Sequence, residues 1–223
     1  MGILPDGAGA IGHDADNTTD SAGSTSSNEL LLGEALRTKE FWMLCVIAFM
    51  AMFCTESIMI HLVPHAIDIN VRPDTAATIL STLGAASMAG RVIMGIAGDR
   101  IGRRSAMIIC FSIMTAGLVW LQFAEASWML FLFALAQGFA HGTFFALISP
   151  VTADLFGLKA QGVILGIIYF AGTAGGSLGP YLAGRIFDTN QTYTIFFLIC
   201  LALAFSAALL MTVLKKTSVK ATA

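Results

Sequence analysis

Long apolar runs separated by short polar punctuation cover most of this chain. Six windows have the length of about 20 mostly apolar residues needed to cross roughly 30 Å of hydrocarbon. They run approximately over 41–63, 75–98, 105–123, 128–149, 161–184 and 192–214, and each is bounded by charge, Pro or Gly. We number them spans one to six. The connections are short, so neighbouring helices must be antiparallel. The pattern predicts an all-α membrane protein, a six-transmembrane-helix bundle over 39–216, with nothing left for a soluble catalytic domain. A membrane β-barrel would show alternating segments of about ten residues, and none is visible.

Outside the bundle the character changes. Residues 1–38 contain "GAGAIGHDADNTTDSAGSTSSNE", which has almost no large apolar side chain and cannot offset chain entropy by burial. A disordered polar tail is expected there, and a short tail at 217–223. The opening "MGILPDG" has neither a positive n-region nor an apolar h-region, so it is not read as a signal peptide. Asp6 departs from the myristoylation pattern. "NELLLGEALRTKEFW" reads as a short amphipathic segment lying against the membrane before span one.

Composition agrees with the pattern. The chain is 57% hydrophobic and 12% charged, with a mean hydropathy of +0.80, whereas soluble domains carry about a quarter charged residues. Charge also orients the bundle. Arg37, Lys39, Arg100, Arg103, Arg104, Lys159, Lys215, Lys216 and Lys220 share the side of the termini, and only Arg72 and Arg185 lie opposite. The positive-inside rule then puts both termini in the cytoplasm. Of the 12 basic residues, one remains, Arg91 within span two.

Arg91 lies eight residues before Asp99, roughly 12 Å inside the membrane at 1.5 Å per residue. An arginine there costs at least about 2.5 kcal/mol on insertion scales. It snorkels to the headgroups, forms a structural pair with an unseen partner, or faces a cavity and binds an anion. In span four, Gln137 and His141 are four residues apart and share a face. His141 is nine residues before Pro150, roughly 13 Å deep, which matches Arg91. These three form a candidate substrate site, although a lone His among apolar residues is commonly a packing residue. Glu56 is the one acid within the six windows. A buried carboxylate must be paired or protonated, which makes it the proton-coupling candidate, nearer the outer side. His61 and His65 fall at the outer end of span one, where solvation explains them and a gating or proton-entry role is the alternative.

Other features read as structural. Cys45, Cys54, Cys110 and Cys200 all lie in spans without a CxxC spacing and are expected to be small buried hydrophobes. "GTAGGSLGP", Gly172 to Pro180, lies in an apolar span, so it reads as close helix packing rather than a phosphate loop. Pro180 is expected to kink span five. There is no nucleophile elbow, HExxH, Walker loop or Cys/His cluster. No catalytic residue, metal, cofactor or nucleic-acid partner is expected.

The turn between spans two and three is more particular: Gly95-x-x-x-Asp99-Arg100-x-Gly102-Arg103-Arg104. This resembles the cytoplasmic loop motif of the major facilitator superfamily, where glycines imply close helix approach and the charges a latch against a neighbouring helix end. "EALRTKEFW", "HLVPHAID", "ADLFG" and "GGSLGPYLAGRIFD" look like the second half of a transporter in the oxalate/formate antiporter and monocarboxylate transporter branch. Spans one to six would then be helices seven to twelve of a twelve-helix fold. The inverted repeats of such transporters imply that span two echoes span five, as Gly95-x-x-x-Asp99 echoes Gly184-x-x-x-Asp188.

The resemblance implies that Arg91 binds a substrate carboxylate. Dicarboxylate-exchanging members carry a lysine after a "YxA" stretch in the eleventh helix, whereas Tyr169-Phe170-Ala171 is followed here by Gly172 and Thr173. The expected function is secondary active transport of a small organic anion, a monocarboxylate, by alternating access with proton coupling as symport or antiport. The expected partners are that anion, protons, the lipid bilayer of the plasma (inner) membrane and an N-terminal six-helix half, on the same gene or another chain. The competing reading is a truncated or non-transporting membrane interaction protein that needs such a partner half.

Overall fold

The computed structural model describes residues 32–214. A short helix, α1 (Leu32–Ala35), precedes α2 (Lys39–Asp68), α3 (Pro73–Ile101), α4 (Arg103–Leu121), α5 (Ser127–Phe156), α6 (Gln161–Asn190) and α7 (Thr194–Val213). All of α2 to α7 are long and apolar enough to cross a membrane, and they correspond to spans one to six. There is no strand among the described residues. Of the tail expected over residues 1–38, residues 1–31 lie outside the described residues, as does the tail expected over 217–223.

The helices overrun the windows at prolines. Pro64, Pro150 and Pro180 all lie inside helices, because a membrane helix can regain the hydrogen bonds that Pro frees from neighbouring side chains. α6 continues through Pro180, whose carbonyl is taken by His61 Nε2 at 3.1 Å. The segment before span one is more broken than expected. Thr38 is extended (φ −86°, ψ 146°) and accepts from Phe41 N at 3.3 Å, so it caps α2 and ends the four-residue α1. Trp42 Nε1 then donates to the Leu36 carbonyl at 3.1 Å.

Two pairings dominate the bundle, α3 with α5 and α2 with α6. In each, both helices run the same way and small residues bring the backbones together. A Cβ on Gly138 would strike the Leu83 carbonyl, one on Gly142 that of Ser87, and one on Gly90 that of Phe139. Across α2 and α6, Gly175 faces the Phe49 carbonyl in the same manner and Gly172 faces Met52 Sδ. The stretch from Gly172 to Pro180 is therefore a helix seam.

α4 packs on α5 and α7, and α7 on α2. Exchanging α2, α3 and α4 with α5, α6 and α7 reproduces this pairing pattern with each helix reversed, the internal symmetry of an inverted repeat. All four cysteines are free and buried. Cys54 Sγ donates to the Cys200 carbonyl at 3.4 Å and Cys110 Sγ to that of Ala140 at 3.1 Å.

Candidate functional site

The α3–α5 seam sets the position of the polar residues in the middle of the bundle. Because Gly142 lets the α5 backbone reach α3, Ser87 Oγ comes within 2.9 Å of His141 Nδ1. One turn further along α3, the Arg91 guanidinium lies 5.8 Å from the centroid of the Phe145 ring. His141 meets the same ring at 4.9 Å, and Tyr169 of α6 stacks on it at 6.3 Å and 18°. Arg91 and His141 thus flank one aromatic ring and share a layer. A guanidinium near a ring face gains about 0.5–2 kcal/mol, which holds it in place without neutralising it. Arg91 is exposed, and no acid pairs with it among the described residues.

Gln137 lies one turn before His141 on α5. It is 0% exposed, and neither amide atom has a partner among the described residues. Glu56 is half-buried on α2, where a Cβ on Gly176 would lie 2.9 Å from its Cγ. Gly176 is seven residues beyond Tyr169 on α6, so Glu56 sits roughly 10 Å from the Arg91 layer towards the Tyr193 end. No cation pairs with Glu56 among the described residues.

At the Tyr193 end, the two outer histidines are packed. His61 Nε2 donates to the Pro180 carbonyl, so Nδ1, 3.2 Å from Tyr193 Oη, accepts the phenol hydrogen. Tyr193 stacks on Phe187 at 4.4 Å. Burial pushes its phenol above the usual tyrosine range, and Asp68 and Asp188 push it further. His65 packs edge-on to Phe197 at 5.0 Å. With Asp68, Gln122 and Tyr193 it lines a cavity of about 300 Å³, remote from Arg91.

The loop motif occupies the opposite end. Gly102 (φ +89°) is the single residue between α3 and α4, a backbone conformation that favours glycine. Arg103 Nη1 pairs with Asp154 Oδ1 at 2.6 Å and Nη2 with Asp99 Oδ1 at 3.4 Å. Arg104 donates through Nε to the Met211 carbonyl at 3.2 Å and through Nη2 to that of Thr212. The latch therefore holds helices of this same bundle: a base meets the carboxyl end of α7, as the helix dipole favours, while Asp99 meets Arg103 instead of a helix end. Arg100 is exposed. The close approach expected of Gly95 falls on Gly98, whose Cβ would meet Leu147 Cδ2 at 2.8 Å, whereas nothing lies within 4 Å of one on Gly95.

Sequence reasoning did not single out Ser87 or Phe145, and it quoted Tyr169 only for the residues that follow it. The available signal was spacing: Ser87 precedes Arg91 by four, and Phe145 follows His141 by four, one helical turn in each case.

Six spanning helices in two inverted trios, with a lone guanidinium at mid-span, define an integral multi-pass membrane protein of the transporter kind. The sequence model of the Major Facilitator Superfamily matches residues 25–223. Human monocarboxylate transporter 12 is 30% identical over 181 residues, covering 78% of this chain and 35% of that protein. Human monocarboxylate transporter 7 is 30% identical over 147 residues, covering 64% and 28%. A crystal structure of the peptide transporter POT (E310Q mutant) in complex with alafosfalin superposes with a TM-score of 0.72 at 18% identity, over 84% of this chain and 40% of that one. The chain belongs to the Major Facilitator Superfamily and forms a six-helix half of its fold. It spans about a third of the length of these monocarboxylate transporters.

Proposed function

We propose that this chain is the carboxyl-terminal half of a secondary active transporter for a small monocarboxylate. The observation that carries the reading is Arg91, an exposed guanidinium at mid-span with no acidic partner among the described residues. Such a charge is costly in a membrane and marks a substrate or ion path. His141, packed against the same Phe145 ring, supplies a polar contact beside it. Arg91 is the sole basic residue within the six windows, so the site favours one negative charge over two. The names of the similar transporters agree with that class.

Transport runs by alternating access, with the site at the junction of this half and an N-terminal six-helix half. Both termini face the cytoplasm of the plasma membrane. Glu56 carries the coupled proton: it is half-buried, unpaired by any cation among the described residues, and displaced along the path from Arg91.

Uptake of radiolabelled lactate into proteoliposomes, compared between wild type and Arg91→Ala, tests the reading. Uptake that Arg91→Ala abolishes supports it, equal measurable uptake by both contradicts it, and no uptake by the chain alone shows that the other half is needed. The competing reading, a membrane protein without transport activity, predicts no saturable lactate binding to the chain.

A further inference from the structure

Serine and threonine hydroxyls in these helices commonly donate to the carbonyl four residues back. Ser57 does so to Phe53 (2.6 Å), Thr143 to Phe139 (2.8 Å), Thr173 to Tyr169 (2.8 Å) and Ser177 to Thr173 (2.9 Å). Ser87 departs from this habit. It is 4% exposed, and its hydroxyl makes one hydrogen bond among the described residues, to His141 Nδ1 at 2.9 Å. The contact exists because Gly138 and Gly142 let α5 lie on the carbonyls of Leu83 and Ser87.

A neutral imidazole carries one hydrogen, and the bond made by one nitrogen decides the role of the other. With no other acceptor for its hydrogen, the Ser87 hydroxyl donates to Nδ1. The imidazole hydrogen is thereby fixed on Nε2, which has no protein partner among the described residues and is absent from their buried unsatisfied atoms. That N–H becomes a donor on an imidazole that packs against the same Phe145 ring as the Arg91 guanidinium.

We infer that Ser87 is a positioning residue, which sets the tautomer and orientation of His141 so that Nε2–H and the Arg91 guanidinium together engage the two oxygens of one carboxylate. This rests on the reading of Arg91 and His141 as the substrate site. A planar monocarboxylate then receives one cationic and one neutral donor, whereas a second carboxylate meets no second cation.

Imidazole ¹⁵N NMR of the full chain in lipid nanodiscs tests it, at a pH above the ordinary histidine range of about 6.5. The His141 signals are identified by their loss in His141→Gln. The wild type is expected to show a single tautomer, with Nδ1 of the unprotonated type and Nε2 of the protonated type. In Ser87→Ala the second tautomer appears and lactate binding weakens about threefold to tenfold, as for a partly lost hydrogen bond; Ser87→Thr, which keeps the hydroxyl, restores the single tautomer. A wild-type His141 protonated at Nδ1, or a Ser87→Ala spectrum like the wild type, overturns the inference. Lactate binding that ignores Arg91→Ala would instead overturn the substrate reading beneath it, so the two failures are distinguishable.

Discussion

A guanidinium at mid-span carries an insertion cost of at least about 2.5 kcal/mol, and no acid among the described residues offsets it at Arg91. That Arg91 and His141 share a layer was legible because charge and polarity stand out against apolar surroundings, and counting along each helix gives matching heights. Ser87, Phe145 and Tyr169 were not legible, since a serine or an aromatic in a membrane helix is unremarkable until a neighbouring helix is placed beside it. The four-residue spacing of Gln137 and His141 put them on one face without saying what that face meets. α5 is buried along much of its circumference, so Gln137 disappears into the bundle while His141 remains half-exposed. Two predictions belong at this scale. Glu56→Gln should remove the response of lactate uptake to a pH gradient and leave lactate binding intact; a retained response contradicts its proton role. Tyr193 titrates above the ordinary value of about 10 because it is buried near Asp68 and Asp188. The folded state therefore holds this proton more tightly than the unfolded chain. Its stabilisation is full below the ordinary pKa and is lost as pH rises through the higher folded value. Alkaline unfolding curves should show that loss in wild type and a smaller one in Tyr193→Phe.

At the scale of elements, six spans were readable from length and apolarity alone, and their ends were not. Proline marks the end of a helix in water, whereas Pro64 and Pro150 sit inside α2 and α5. The glycine-rich stretch of α6 was read as close packing, and it is. Which glycines pack required the pairing of helices: Gly142 meets a backbone carbonyl, and Gly84 meets nothing within 4 Å. Gly142→Ala should therefore push α3 and α5 apart at a cost of about 1–3 kcal/mol. Gly84→Ala should be neutral or stabilise by about 0.5–1 kcal/mol through helix propensity. Thermal unfolding of both variants checks the contrast, and an equal effect would contradict the seam.

For the whole molecule, the inverted trios and the loop motif close on one another within one half of the fold. The charges of Asp99, Arg103, Arg104 and Asp154 are satisfied inside this bundle, a result that motif spacing alone could not show because it is silent on which helix end lies nearby. Asp154 is 51% exposed, so Asp154→Asn should cost less than about 1 kcal/mol of stability, read from its unfolding midpoint. Exposed Arg91 is where we propose the substrate binds. Scintillation-proximity binding of radiolabelled lactate to the purified chain, wild type against Arg91→Ala, tests that claim most directly. Wild type should bind saturably, with an affinity at least about tenfold weaker in the variant, the worth of one hydrogen bond to a charged group. Equal affinity for both would contradict it.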